Sequence, residues 1–309
     1  MLRWSCPRCS GEVFFNSFTC LACQCPLVFC PETPDFRELS DEEACQTRRD
    51  HGICNWRKKP GQVFCRPCSA NLVIPDLTIS GNFQKWSRLE AAKRRLFFSC
   101  HRLNIDTTGL SFQFLADTPT TRAVTGHCEG VITINIAEAD TVVRERTRRE
   151  LQEEFRTLIG HFRHELGHFF WLRQVAQYPD TLANFRELFG DERADYQASL
   201  QDYHASNTQE SPADFITEYA SSHPWEDWAE SFAHYLHLRD VLETAREFGF
   251  SDLAFFEFRS GVEEWVRMTV AFNEINRSMG LPDLYPFALT DPVIHKLEFV
   301  HRLVSEAGA

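Results

Sequence analysis

His164-Glu165-Leu166-Gly167-His168 is the stretch whose reading decides the fold of this 309-residue chain. Two histidines four apart share one face of an α-helix, so both imidazoles can reach a single metal ion. The glutamate between them sits where it can hold and deprotonate a metal-bound water. At this chain's own His and Glu frequencies, H-E-x-x-H would arise by chance roughly 0.04 times, so its context must carry the argument. Leu151, Phe155, Leu158, Ile159, Phe162, Leu166, Phe169 and Phe170 recur at helical spacing around the motif. Asp140 to about Gln177 therefore reads as one long helix or two abutting ones, with Asp140 as N-cap and Pro179 as the stop. On a mostly buried helix, histidines and a carboxylate are costly unless something such as a metal engages them. His161, one turn before His164, reads as a neighbour that packs or supports the site, because a zinc held by His161 would leave Glu165 without a role.

Two histidines leave a catalytic zinc short of one protein ligand. Downstream, His223-Pro224-Trp225-Glu226-Asp227-Trp228-Ala229-Glu230 opens a predicted helix on which Glu226 and Glu230 share a face. One of them can bind the metal while the other receives a hydrogen bond from a ligand histidine. The pattern with a third histidine, H-E-x-x-H-x-x-G-x-x-H, fails because positions 171 and 174 are Trp and Gln. Asp191-Glu192 is a rival carboxylate source, although Gly190-Asp191 looks more like a helix start.

Twelve cysteines form the second signal, ten of them before residue 70. Cys6, Cys9, Cys20 and Cys23 make two C-x2-C knuckles with the spacing of a four-cysteine zinc ribbon. Cys65 and Cys68 form a third knuckle, for which Cys45 and Cys54 are the partners of choice; Cys25, Cys30 and His51 compete with them. Cys100 and Cys128 read as packing residues. With no hydrophobic signal stretch after Met1 and no run near the roughly 20 apolar residues of a membrane helix, a reduced, cytoplasmic setting and thiolate-bound zinc are expected.

These features imply an α+β chain in two parts: a Cys-rich zinc-ribbon domain over 1–75, dependent on metal for want of an apolar core, and a mostly helical domain over 76–309. A basic amphipathic helix is predicted over Phe83–Leu103 and strands over Gly109–Ala116 and Gly130–Ile136. Further helices are predicted over 182–189, 192–204, 212–221, 225–248, 261–278 and 291–306. Residues 1–100 carry 14 Lys/Arg against 10 Asp/Glu, and residues 101–309 carry 18 against 34, so the halves stand at +4 and −16. Lys85, Arg88, Lys93, Arg94 and Arg95 beside a ribbon suggest nucleic acid, but a net charge of −12 argues against duplex contact, and the five read instead as a solvated face.

Longer stretches make the chain recognisable. CNW at 54–56, WSRLEAAKRRL at 86–96, TGHCEGVITINIAEAD at 125–140, FRTLIGHFRHELGHFFW at 155–171, FGDERADY at 189–196 and HPWEDWAESFAHYLH at 223–237 resemble a bacterial family of zinc-binding metallopeptidases with an N-terminal zinc ribbon. The resemblance covers nearly the whole chain and implies a zincin-like fold of the gluzincin type and hydrolysis of a protein or peptide substrate. A second likeness, confined to the Glu226 segment, is to lethal-factor-type toxin peptidases. There the first glutamate of E-x-x-A-E binds zinc and a tyrosine seven residues earlier assists the chemistry, which matches Glu226 and Tyr219 here. The expected set is thus one catalytic zinc on His164, His168 and Glu226, with Glu165 as base, Glu230 orienting a ligand histidine, and two structural zincs on the cysteines. Tyr219 is the expected donor to the oxyanion and His223 the alternative. The competing functional class is an inert module whose ribbon docks a protein partner or nucleic acid.

Overall fold

The computed structural model describes residues 1–118, 120–150, 155–205, 213–253 and 256–307. Two compact units emerge. The first comprises Met1–Arg102, Asp106–Thr141 and Glu243–Phe250, and the second comprises Leu103–Ile105, Val142–Leu242 and Ser251–Ala309.

In the first unit, two short antiparallel hairpins carry the cysteine-rich region: β1 (Trp4–Ser5) with β2 (Glu12–Val13), and β3 (Leu27–Cys30) with β4 (Asp35–Glu38). After Cys6-x2-Cys9 and Cys20-x2-Cys23 the chain turns back at Ser10 and Gln24, both at a φ of +59°. The repeated left-handed residue is what lets each knuckle fold its two thiols to one side. Helices α1 (Gln46–His51) and α2 (Arg66–Ser69) follow, then β5 (Asn71–Val73) and α3 (Asn82–Arg102). The apolar deficit of the cysteine region is met by aromatic edges: Trp4, Phe15, Phe29 and Phe36 pack on one another, and Phe98 of α3 enters the same cluster. Core-making by α3 explains why compactness groups it with the cysteine region.

The expected strands exist as β6 (Ser111–Leu115) and β8 (Val131–Asn135), which pair in parallel; β7 (Gly126–Cys128) joins antiparallel to β8, giving the order β5-β6-β8-β7. Two sequence readings need correction here. Lys93 and Arg94 are not on a solvated face but buried: Lys93 donates to Glu90 at 2.7 Å and to Asn71, and Arg94 donates to the Ile53 carbonyl at 2.6 Å. Their long stems cross the core to reach partners that a helical wheel cannot reveal. Cys128 is exposed, since it sits on the edge strand next to the β7–β8 turn, whereas Cys100 is buried as expected.

The second unit is helical: α4 (Thr141–Glu150), α5 (Leu158–Gln174), α6 (Pro179–Phe189), α7 (Tyr196–Ala205), α8 (Pro224–Glu247, whose end belongs to the first unit), α9 (Phe258–Ser278) and α10 (Asp291–Ala307). The motif helix is a helix of its own. Thr157 caps it, its side chain accepting from the Gly160 N–H at 3.1 Å, while Leu151 lies outside the described residues. Pro179 starts α6 at its first turn and does not merely end the preceding pattern. The helix expected over 212–221 is not formed; after position 212, outside the described residues, the chain runs through turns to a 3-10 turn at Tyr219–Ser222. Its carbonyls have tertiary claimants: Thr290 takes that of Ala213 at 2.5 Å, and Lys296 takes that of Asp214 at 2.6 Å. Phe170, Phe185, Phe189, Trp228, Phe232 and Phe299 form the core against which α5 and α8 rest.

Candidate metal centre

Gly167, inside the motif, sets how closely α5 and α8 cross. A Cβ built on it would lie 3.1 Å from Ala229 Cα and 3.2 Å from Phe232 Cβ, so any larger residue would force the helices a few tenths of an ångström apart. Trp228 locks the crossing by donating from Nε1 to the Gly167 carbonyl at 2.9 Å. With the helices this close, the faces carrying His164 and His168 and that carrying Glu226 and Glu230 meet.

The ligand atoms of His164, His168 and Glu226 all lie within 4.8 Å of one another. His164 Nε2 is 3.2 Å from His168 Nε2 and 3.0 Å from Glu226 Oε2, and His168 Nε2 is 3.5 Å from Glu226 Oε1. Bonds of about 2.0–2.2 Å to a tetrahedral zinc require ligand–ligand edges of roughly 3.3–3.6 Å, so three vertices fit zinc with little adjustment. Glu165, next to His164 in the motif, is buried, and its Oε2 has no hydrogen-bond partner. An unpartnered buried carboxylate oxygen beside two histidines whose charges act on it is what a metal-bound water could satisfy.

Support around the ligands is specific. Glu230 Oε1 accepts from His164 Nδ1 at 2.7 Å, which turns Nε2 towards Glu226 and His168, and Thr217 fixes Glu230 by donating to Oε2 at 2.8 Å. Thr217 Oγ1 in turn receives the Ala220 N–H at 3.1 Å, so the turn before α8 is tied to the site. Electrostatics follow this geometry. Burial opposes a charge on His164, yet hydrogen bonds to Glu226 and Glu230 hold its pKa well above the usual value. Burial likewise opposes ionisation of Glu226, but the two histidines keep it well below the usual carboxylate range. Glu165 is pushed up by burial, against the pull of His164 and His168. The ligand carboxylate is thereby held ionised while the neighbouring one gains proton affinity.

Residues outside the constellation have other work. Asp191 is exposed and paired with Arg193 at 2.7 Å, and Glu192 pairs with Arg186, so the rival carboxylates are engaged elsewhere. His161 is half-buried and outside the cluster of ligand atoms. His223 donates from Nε2 to the Ala194 carbonyl at 3.2 Å and accepts the Trp225 N–H on Nδ1 at 3.1 Å. With both ring nitrogens spent on backbone, it caps α8 and has no proton left for an oxyanion. Tyr219 lies beside the centre, its ring 6.0 Å from that of His164, and burial and the Glu226 charge push its phenol pKa up. Two contributors escaped the sequence reading: Thr217 and Tyr196, whose hydroxyl donates to Glu226 Oε1 at 2.8 Å. Tyr196 closes the 189–196 stretch of the family resemblance, a signal available beforehand.

In the first unit, Cys6, Cys9, Cys20 and Cys23 form one four-sulfur cluster, and Cys45, Cys54, Cys65 and Cys68 form another. Sulfur separations of 3.6 Å for Cys6–Cys23 and Cys9–Cys20, and 3.5 Å for Cys54–Cys65, are far longer than a disulfide. They approach the roughly 3.8 Å edge of a tetrahedron with Zn–S bonds of about 2.3 Å. Cys25 and Cys30 stay outside both clusters, and His51 packs edge-on against Trp86 at 5.2 Å.

Comparison with known proteins agrees with this chemistry. Residues 82–303 match the family model described as "Putative zinc-binding metallo-peptidase", and residues 3–79 match a zinc-ribbon domain. The chain belongs to that zinc-binding metallopeptidase family and carries its zinc ribbon at the N-terminus. Uncharacterized proteins of Mycobacterium bovis and Mycobacterium tuberculosis are each 36% identical to it over 330 aligned positions, covering 100% of this chain and 96% of theirs. No solved structure matches. Among the described residues, no helix is long and apolar enough to cross a membrane.

Proposed function

We propose that the protein is a zinc-dependent peptidase that hydrolyses peptide bonds with Glu165 as general base. The carrying observation is the His164–His168–Glu226 cluster, with separations of 3.0–3.5 Å near those of a tetrahedral site, and within the same motif a buried Glu165 whose Oε2 has no partner. Zinc, when bound there, supplies Lewis acidity and lowers the pKa of a bound water towards about 7. His164, His168 and Glu226 are its ligands, and Glu230 keeps His164 in the tautomer that can bind. Glu165 accepts the proton of the attacking water and, with its proton affinity raised by burial, can pass it to the leaving amine. The carbonyl oxygen gains negative charge as it is attacked and needs a hydrogen-bond donor. Tyr219 fills that role: burial and the Glu226 charge keep its hydroxyl protonated, well above the ordinary phenol value.

Two further zinc ions sit on the cysteine clusters, where they brace a small aromatic core and present the ribbon to a protein substrate or partner. The setting is cytoplasmic, where reduced thiolates persist. Against the inert-module reading stands Glu165 itself, because ligands can stabilise a fold while a base between them contributes only chemistry. The test compares new protein N-termini in cells expressing wild type and Glu165→Gln. Ends unique to the wild type are expected; identical sets from the two would reject the enzymatic reading.

A further inference from the structure

The geometry points to Tyr196 as a second hydroxyl that touches the substrate, donating with Tyr219 to the oxygen of the carbonyl under attack. This deepens the peptidase reading and rests on it. Tyr196 opens α7, and its hydroxyl reaches Glu226 Oε1 at 2.8 Å, which brings it to the edge of the ligand triangle. Burial separates the two sides of the centre. Glu226 is 1% exposed and His168 5%, whereas Tyr196 is 37% exposed, so of these residues Tyr196 is the one open to solvent. Tyr219 contacts the rings of His164 and Tyr203, at 6.0 and 5.9 Å, and the Glu226 charge acts on its hydroxyl as it does on that of Tyr196. Tyr196 is thus bonded to the carboxylate whose charge Tyr219 also feels.

A single phenol proton makes one good hydrogen bond at a time. A carboxylate oxygen committed to a cation is a weaker acceptor, and a developing oxyanion is a stronger one, so the Tyr196 proton has reason to move from Glu226 to the substrate. The ring is oriented for this by edge contacts to His223 at 5.1 Å and Trp225 at 6.1 Å. The His223–Ala194 bond at 3.2 Å pins the backbone two residues before it. Helix α7 buries none of its side chains.

The rival role for Tyr196 is to steady Glu226 as a zinc ligand, and metal affinity separates the two. Full-length zinc-loaded wild type, Tyr196→Phe and Glu165→Gln are assayed on the peptide from a quenched-fluorescence library that the wild type cleaves fastest. Zinc affinity is measured in parallel by competition with a chromophoric chelator. Tyr196→Phe is expected to lower kcat by about 10²–10³-fold with KM and zinc affinity little changed. A fall of about 10–100-fold in zinc affinity, with turnover per bound zinc intact, would make Tyr196 a support for Glu226 and overturn the proposal. An unchanged kcat beside an inactive Glu165→Gln overturns it while leaving the peptidase reading standing. If the wild type cleaves nothing in the library, both fall together.

Discussion

Gly167→Ala probes the contact that assembles the centre. In an ordinary helix interior the change would stabilise by about 1 kcal/mol, because alanine is the better helix former. Here the new methyl would lie 3.1 Å from Ala229 Cα, 3.2 Å from Phe232 Cβ and 3.3 Å from the Ala229 carbonyl oxygen. Carbon contacts are comfortable from about 3.5 Å, so α5 and α8 must part by roughly 0.3–0.5 Å. The obstructing atoms are largely backbone of the facing helix, which cannot swing aside. That places the overpacking cost towards the upper part of about 1–3 kcal/mol, and the net effect is destabilising by about 1–2 kcal/mol. Glu226 lies three residues before Ala229 on α8, and His168 follows Gly167 directly, so the separation opens the ligand triangle. Metal sites tolerate displacements of only about 0.2 Å. Zinc affinity at this centre should fall by about 10–100-fold, the equivalent of about 1.4–2.8 kcal/mol. Chelator competition on protein with its cysteine sites filled, together with thermal unfolding, measures both quantities. Wild-type zinc affinity and an equal or higher Tm would mean that only the propensity gain was felt, refuting the tight crossing.

Three other outcomes follow from the same geometry. Metal analysis of protein purified without chelator should give about three zinc equivalents per chain, and a value near one with oxidised cysteines would sink the ribbon sites. Glu226→Gln should empty the His164–His168 centre, whereas Glu230→Gln should retain it with affinity reduced by about 10–100-fold; reversal of these effects would exchange the two roles. Burial pulls the His234 pKa down from 6.5 to about 4, and Tyr285 lies against its Nδ1 at 2.7 Å. A depressed folded-state pKa means that the unfolded chain binds more protons between those values. His234 therefore contributes stability fully above pH 6.5 and loses it as the pH falls towards 4, by up to about 3 kcal/mol. Urea unfolding from pH 7.5 to 5 should show a shallower loss in His234→Gln than in wild type; parallel slopes would contradict this.

How much of this was legible beforehand depended on whether the determining interaction was local. The spacing of His164, Glu165 and His168, the knuckles at Cys6/Cys9, Cys20/Cys23 and Cys65/Cys68, and the long amphipathic helices could be read directly, because helical and knuckle geometry place those groups within a few residues of one another. Glu226 and Glu230 could be nominated on their shared helix face. Lys93 and Arg94 could not be told from solvated cations, since their partners Asn71 and Ile53 lie 22 and 41 residues away. The segment before Tyr219 carried helical spacing, yet Thr290 and Lys296 claim its carbonyls from the far end of the chain.

Local sequence thus determined the chemistry on offer: a helix with two candidate metal ligands and a carboxylate between them, a candidate third ligand, and thiols in zinc-ribbon spacing. Tertiary structure alone decided how these are used. The Gly167–Ala229 crossing selects which glutamate faces the histidines, the Thr217–Glu230 bond sets the tautomer of His164, and the placement of α7 brings the Tyr196 hydroxyl to Glu226. Helical periodicity orders neighbours along one element, whereas the approach of two elements depends on side-chain volumes and hydrogen bonds that no single stretch contains.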